Sequence, residues 1–181
     1  MSPRSRSLLA AAVLGVSAAG CSTSPTGPPP APAPPPNQHP PVVVAPEVSQ
    51  VDRHSPDAVA QTAVRLMYSV DATRDRGFSD GLSRAGPLLS PDYARNAATA
   101  PIRPSAQWQD WAAHHAHTDV QVTDSPEDRP PDRAQLARRA YVVTTTPVGA
   151  DQWRGPAQTT LAMVTLTRAE AGWQVAEITP R

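Results

Sequence analysis

The sequence contains no lysine and only one cysteine, Cys21. A lone cysteine excludes a disulfide within the chain. Sixteen arginines balance sixteen aspartates and glutamates, which gives a formal net charge of +0. The chain therefore lacks the basic footprint of a nucleic-acid-binding protein, and we expect no nucleic acid partner.

The best-known catalytic motifs are absent as well. No Gly-x-Ser-x-Gly sequence occurs, so the nucleophile turn of the α/β hydrolases is missing. No phosphate-binding loop is present either. The sequence thus gives no positive sign of an enzyme, and it predicts no cofactor.

The N-terminus has the features of a secretory signal. Arg4 and Arg6 precede an uncharged twelve-residue run at 8–19, and small residues lead into Cys21. A helix over this run is about 18 Å long, whereas the hydrocarbon core of a membrane is about 30 Å thick. Cleavage of the segment is therefore favoured over an uncleaved membrane span.

The sequence "AAGC" at the end of this run resembles a bacterial lipobox. The resemblance implies that the thiol of Cys21 receives a diacylglycerol. A peptidase then cuts the chain on the N-terminal side of Cys21, which becomes the first residue of the mature protein. Long acyl chains such as palmitate then hold the protein on the outer face of the cell membrane. The alternative is an ordinary signal that leaves a free thiol.

Prolines dominate residues 24–46, including two Pro-Pro-Pro triplets. Such a segment cannot bury a core, and it lacks the N–H groups that helices and sheets need. We expect an exposed polyproline tether, with docking into an aromatic groove as the alternative. The predicted organisation is a signal peptide at 1–20, a lipid-anchored Pro-rich linker at 21–54 and a globular domain at 55–181.

Three helices are predicted in the first half of this domain. Ser55 and Pro56 suit a helix start, and apolar residues recur at helical spacing as far as Val70. A second Ser-Pro-Asp predicts a helix from Pro91, and Ser105 offers a further cap.

Four strands are predicted in the second half, at 118–123, 134–149, 155–168 and 172–179. Short turns connect the last three, which is typical of an antiparallel meander. Helices followed by strands indicate an α+β fold in which a curved sheet covers the first helix.

This order of elements, closing in "GWQVAEIT", resembles the cone-shaped domain of the nuclear transport factor 2-like superfamily. More narrowly, "SPDAVAQTAVRLMYSVD" and "GPLLSPDYARNA" resemble extracytoplasmic domains of high-GC Gram-positive conjugal-transfer proteins. The resemblance implies a binding or scaffolding module with protein partners in a transport or conjugation assembly. The alternative that it raises is a ligand-binding or isomerase- or dehydratase-like cone pocket.

Scarce large aromatics are the candidates for a ligand pocket or a partner contact. Trp108 and Trp111 share a predicted helical face, so they suit either a pocket or the core. Trp153 and Arg154 lie in a predicted hairpin turn, where an exposed aromatic beside arginine suits a protein partner.

Acid-base and metal chemistry have weaker candidates. Tyr68, Asp71 and Asp110 could serve a cone pocket as acid or base, although surface carboxylates are common. His114, His117 and Asp119 are weak candidates for a metal site, because neutral imidazoles and carboxylates bind zinc or copper. The expected outcome is no catalytic residue and no bound metal.

Overall fold

The computed structural model describes residues 46–99, 102, 105–126 and 129–181. Every described residue belongs to one compact unit, which lies within His39–Arg181. The predicted signal at 1–20, the predicted lipidation site Cys21 and the prolines before Pro46 therefore lie outside the described residues.

Within the described residues, five α-helices and one 3₁₀ turn precede the sheet. The helices are α1 (Pro46–Ser49), α2 (Pro56–Tyr68), α3 (Ser79–Arg84), α4 (Pro91–Thr99) and α5 (Ala106–Ala113), with the 3₁₀ turn at Gly86–Leu88. The helices predicted after Ser55, Ser90 and Ser105 are confirmed. Their starts were predictable because a serine hydroxyl accepts a hydrogen bond from an N–H of the first helical turn, as Ser55, Ser90 and Ser105 each do. In the first two helices a proline, which has no N–H, occupies the first position.

Helix α2 shows how the sequence specifies its ends and its buried face. The Ser55 hydroxyl accepts a hydrogen bond from the Ala58 N–H at 3.2 Å. Asp57 adds a negative charge in the first turn, which the positive end of the helix favours. Val59, Ala63 and their neighbours on one face are buried, so α2 packs through that face onto the sheet.

The sheet is an open antiparallel meander in the order β1-β2-β3-β4. Its strands are β1 (His117–Asp124), β2 (Leu136–Val148), β3 (Gln158–Ala169) and β4 (Gly172–Pro180). The α+β fold class and the four antiparallel strands are therefore confirmed.

The main core lies between α2 and one face of the sheet. Alternate residues of β2 point into it, namely Ala137, Arg139, Tyr141 and Val143. Leu88 of the 3₁₀ turn closes the same core and is fully buried. The facing residues of β3 and β4 complete it: Ala162, Val164, Leu166, Trp173, Val175 and Ile178.

The packed region extends N-terminal to the expected domain start at Ser55. Val48 in α1 is 3% exposed and belongs to the main core. The Trp173 N–H donates to the Arg53 carbonyl at 2.7 Å, which ties the segment before α2 to β4. The last part of the proposed linker at 21–54 is thus part of the fold, because a short helix that buries Val48 follows the prolines.

Among the residues that the structure describes, no helix has both the length and the apolar character needed to cross a membrane.

Candidate functional site

Most of the candidate residues lie around the junction where α2 ends and β1 begins. The Ala72 N–H donates to Ala116 at 2.8 Å, and the Thr118 N–H donates to Val70 at 2.9 Å. The Thr118 hydroxyl also accepts from the Val70 N–H at 2.9 Å. These bonds bring the chain after Tyr68 against the first residues of β1.

A polar depression of about 250 Å³ opens at this junction. Its charged side chains are largely paired with one another. Arg84 donates to the Asp75 carboxylate and to the Ser69 carbonyl. Arg74 donates to Asp71 at 2.9 Å. The depression is lined by Ser69, Val70, Asp71, Arg74, Arg84, His117 and Thr118.

Asp71, a candidate general base, is held in its ionised form. Partial burial opposes its ionisation, but hydrogen bonds from Thr73 and the charge of Arg74 outweigh this effect and lower the pKa of Asp71. A base that works near neutral pH needs a raised pKa instead. The geometry therefore favours a structural role for Asp71, since it caps the turn that follows α2.

Tyr68 and Asp110 occupy different surroundings. The Tyr68 hydroxyl is buried and has no hydrogen-bond partner among the described residues. Burial, and then the neighbouring Tyr93, raise the pKa of the Tyr68 phenol, so it stays neutral. Asp110 is an exposed carboxylate on α5, and its Oδ1 lies 4.0 Å from Nε2 of His114.

Trp108 and Trp111 are core residues. They are 8% and 5% exposed and form a second apolar cluster with Val70 and Ala116. The ring of Phe78 packs edge-on against both indoles, with centroid distances of 5.0 Å. Phe78 itself is 39% exposed. The two tryptophans thus support the junction from within, and Phe78 is the aromatic that reaches the surface there.

Trp153 stacks on His114. Their rings are 4.3 Å apart and inclined by only 2°. His114 Nδ1 lies 2.7 Å from Oδ2 of Asp151, and this contact holds the pKa of the Asp151 carboxyl below its usual range. The Ala150 N–H donates to the His114 carbonyl at 3.1 Å. The loop between β2 and β3 is thereby fastened to the end of α5.

Two residues beside this stack have left-handed backbone. The φ angles are 48° at His115 and 67° at Gln152. Residues other than glycine rarely adopt such angles, and the surrounding contacts must hold them there. Arg154 follows Trp153 and is exposed.

The weak metal candidates do not form one site. His117 and Asp119 are neighbours on β1, with Nε2 and Oδ1 3.8 Å apart. His114 contacts Asp151 on the β2–β3 loop instead. The part of the chain that the structure describes contains no group of three or more side chains placed to hold a metal ion.

Arg139 is the charged residue whose environment sequence reasoning missed. Its side chain is 2% exposed. It donates to both oxygens of Asp57 at 2.7 and 3.1 Å and to both oxygens of Asp132 at 2.7 and 2.8 Å. One signal was available, because Arg139 occupies an inward position in the alternation of β2 between Ala137 and Tyr141.

Comparison with known proteins adds no relative: no family model and no curated protein matches this sequence.

Proposed function

We propose that this chain is a cell-envelope lipoprotein held on the outer face of the membrane by a diacylglycerol on Cys21. The support is the order of Arg4 and Arg6, the short apolar run at 8–19 and the small residues before the cysteine. Two acyl chains give stable membrane attachment, whereas a single chain gives only reversible binding. The prolines at 24–45 then serve as the spacer before the folded domain.

We also propose that the domain is nuclear transport factor 2-like and works by binding or scaffolding rather than by chemistry. The observation that carries this proposal is the packing of the face of the sheet that covers α2. Tyr141, Leu166 and Leu88 fill that side. Arg139, the buried charge in the described core, has all of its donors paired. An enzymatic cone pocket would need an open interior around its acid or base, whereas the unpaired Tyr68 hydroxyl is buried and its raised pKa keeps it neutral.

The loop between β2 and β3 is the contact surface that we assign to a partner in a transport or conjugation assembly. Trp153 is half-buried on His114, and Arg154 beside it is exposed. A rigid aromatic next to an arginine is a favourable combination for protein contacts. The fastening of this loop to α5 lowers the entropy lost on binding.

The anchor is tested by mass spectrometry of the membrane fraction. We expect a diacylated N-terminal peptide that begins at Cys21, and we expect Cys21→Ser to release the protein into the soluble fraction. Ser22→Ala is the matched control and should remain in the membrane fraction. Unchanged membrane retention of Cys21→Ser would show that the anchor assignment is wrong.

The partner surface is tested by placing a photo-cross-linking amino acid at Arg154 in the full chain. A discrete cross-linked product in the cell envelope is expected. The same amino acid at Glu170 serves as the control, because the β3–β4 turn lies at the other end of β3. Equal products from both positions, or none from Arg154, would contradict the assignment.

A further inference from the structure

The face of the sheet that points away from α2 carries its own apolar block. Ala140 pairs with Met163, and Val142 pairs with Leu161. Directly paired residues of antiparallel strands point to the same side, so these four side chains are neighbours. They are only partly buried, and neither hydrophobic cluster of the described residues includes them.

Opposite charges flank this block in a single cross-strand row. Arg138 on β2 pairs with Thr165 on β3, and Thr165 pairs with Glu177 on β4. Arg138 and Glu177 are exposed, and neither forms an ion pair among the described residues. The row therefore places a positive charge on β2, on one side of β3, and a negative charge on β4, on the other side of β3.

We propose that this outer face binds the same face of a second copy of the chain, around a two-fold axis parallel to β3. Such an axis exchanges β2 with β4 between the facing sheets. Arg138 of each copy then lies opposite Glu177 of the other copy. Leu161 and Met163 meet their own counterparts at the centre. Stacked sheets lie about 10 Å apart, a gap that the two long side chains span together.

The charge arrangement is what selects a second copy as the occupant. A two-fold interface must be self-complementary, since the same patch serves both partners. An Arg138–Thr165–Glu177 row centred on β3 meets this requirement without any other molecule. The inference concerns assembly and does not depend on the proposed lipid anchor or on the β2–β3 contact surface.

The test is sedimentation velocity on the full chain carrying Cys21→Ser, over a wide range of concentrations. We expect a dimer. Arg138→Glu and Glu177→Arg should each weaken it at least about tenfold, because each places like charges opposite one another twice. An equimolar mixture of the two variants should associate again, since every facing pair then combines Arg with Glu. The variant carrying both substitutions should also dimerise.

Two further variants separate an interface from a folding defect. Arg65→Glu is the matched charge reversal on the exposed side of α2, and it should leave the dimer intact. Met163→Asp should give a folded monomer, with circular dichroism confirming the fold.

A monomeric parent chain would overturn the proposal, as would a dimer that resists Met163→Asp or a mixture that fails to associate. If the parent is monomeric and Met163→Asp makes residues 24–45 more susceptible to protease, the chain's own tether covers this face instead.

Discussion

Arg139 donates two hydrogen bonds to the carboxylate of Asp57, which lies 82 residues earlier in the chain. Its Nε lies 2.7 Å from Oδ1, and its Nη2 lies 3.1 Å from Oδ2. The same guanidinium donates to both oxygens of Asp132 and to the Arg138 carbonyl. All five donors of the group are therefore used. One buried side chain thus joins β2, the first turn of α2 and the loop between β1 and β2.

Removal of both carboxylates should destabilise the domain more than the two single changes suggest. Asp57→Asn alone leaves Arg139 paired with Asp132, and we expect a cost of about 1–2 kcal/mol. The double variant Asp57→Asn, Asp132→Asn leaves a buried guanidinium without a counter-charge and should cost about 3–5 kcal/mol. Urea unfolding of the four proteins gives the coupling energy directly.

Glu170→Gln is the control for this experiment. Glu170 is exposed in the turn between β3 and β4 and forms no ion pair among the described residues. Its neutralisation should change the free energy of unfolding by no more than about 0.5 kcal/mol. Additive effects of the two aspartate changes would show that Arg139 does not couple them.

The same network should make the free energy of unfolding depend on pH in the acid range. Arg139 holds the pKa values of Asp57 and Asp132 below the ordinary value of 3.8. A carboxyl with a lowered folded-state pKa contributes stability above its unfolded-state pKa, and this is lost as the pH falls through the folded-state pKa. Arg139→Met should therefore be less stable than the parent at neutral pH.

As the pH falls through the lowered pKa values of Asp57 and Asp132, the free energies of unfolding of Arg139→Met and the parent should converge, because the carboxylates become protonated. Arg133→Met is the matched control, since Arg133 is exposed in the same region and forms no ion pair among the described residues. Urea midpoints measured across the acid range check the prediction. A gap between Arg139→Met and the parent that is independent of pH would refute it.

The elements of this fold could be predicted because their signals are local. The Ser55 hydroxyl accepts a hydrogen bond from the N–H of Ala58, only three residues later. Buried and more exposed side chains alternate along β2 with a period of two residues. The role of Arg139 could not be predicted in this way. Its partners are Asp57 at the start of α2 and Asp132 in the proline-rich loop before β2. From the sequence alone, each aspartate is adequately explained as an exposed charge, so nothing local indicates that it pairs with Arg139.

The stack of His114 on Trp153 escaped prediction for a related reason. It depends on left-handed backbone at His115 and Gln152, neither of which is a glycine or an asparagine. At His115 the angle belongs to the end of α5, where the Ala116 N–H donates to the Trp111 carbonyl and the His115 N–H donates to the Ala112 carbonyl. The contact between the two rings does not follow from this local pattern, because it also needs the β2–β3 loop to pack against the helix end. The two rings were each singled out from the sequence, but their contact was not.

The three tyrosines should titrate late in the folded protein. Burial raises the pKa of Tyr68, Tyr93 and Tyr141, in the last case to about 12. Because these pKa values exceed the unfolded value near 10, the associated stability is present below that value and is lost as the pH rises toward 12. Phenolate absorbance should therefore rise together with unfolding detected by circular dichroism.

Tyr141→Phe separates this effect from general alkaline damage. Its phenol donates to the Asp57 carbonyl at 3.4 Å, a long bond whose loss costs little. The variant should keep more of its neutral-pH stability between pH 10 and 12 than the parent. A tyrosine that titrates near 10 in the folded parent would contradict the prediction.

Gly172 is a position where a single methyl group should disrupt the local structure. Its φ is +110°, and an added Cβ would lie 2.4 Å from the Arg53 carbonyl oxygen. That oxygen accepts the Trp173 N–H, so it cannot move away without loss of the bond between the start of the domain and β4. Gly172→Ala should therefore cost at least about 1–3 kcal/mol.

Gly86→Ala is the matched control, because nothing lies within 4 Å of the added Cβ and the backbone there is not left-handed. Its effect should fall between neutral and a gain of about 0.4–1 kcal/mol, since alanine restricts the unfolded chain. Urea unfolding of both variants measures the contrast. Hydrogen exchange should also show faster exchange at Trp173 in Gly172→Ala alone, because the bond to Arg53 is the one that the methyl group displaces. Equal stability of the two variants would mean that the segment before α2 is not held against β4 as the structure places it.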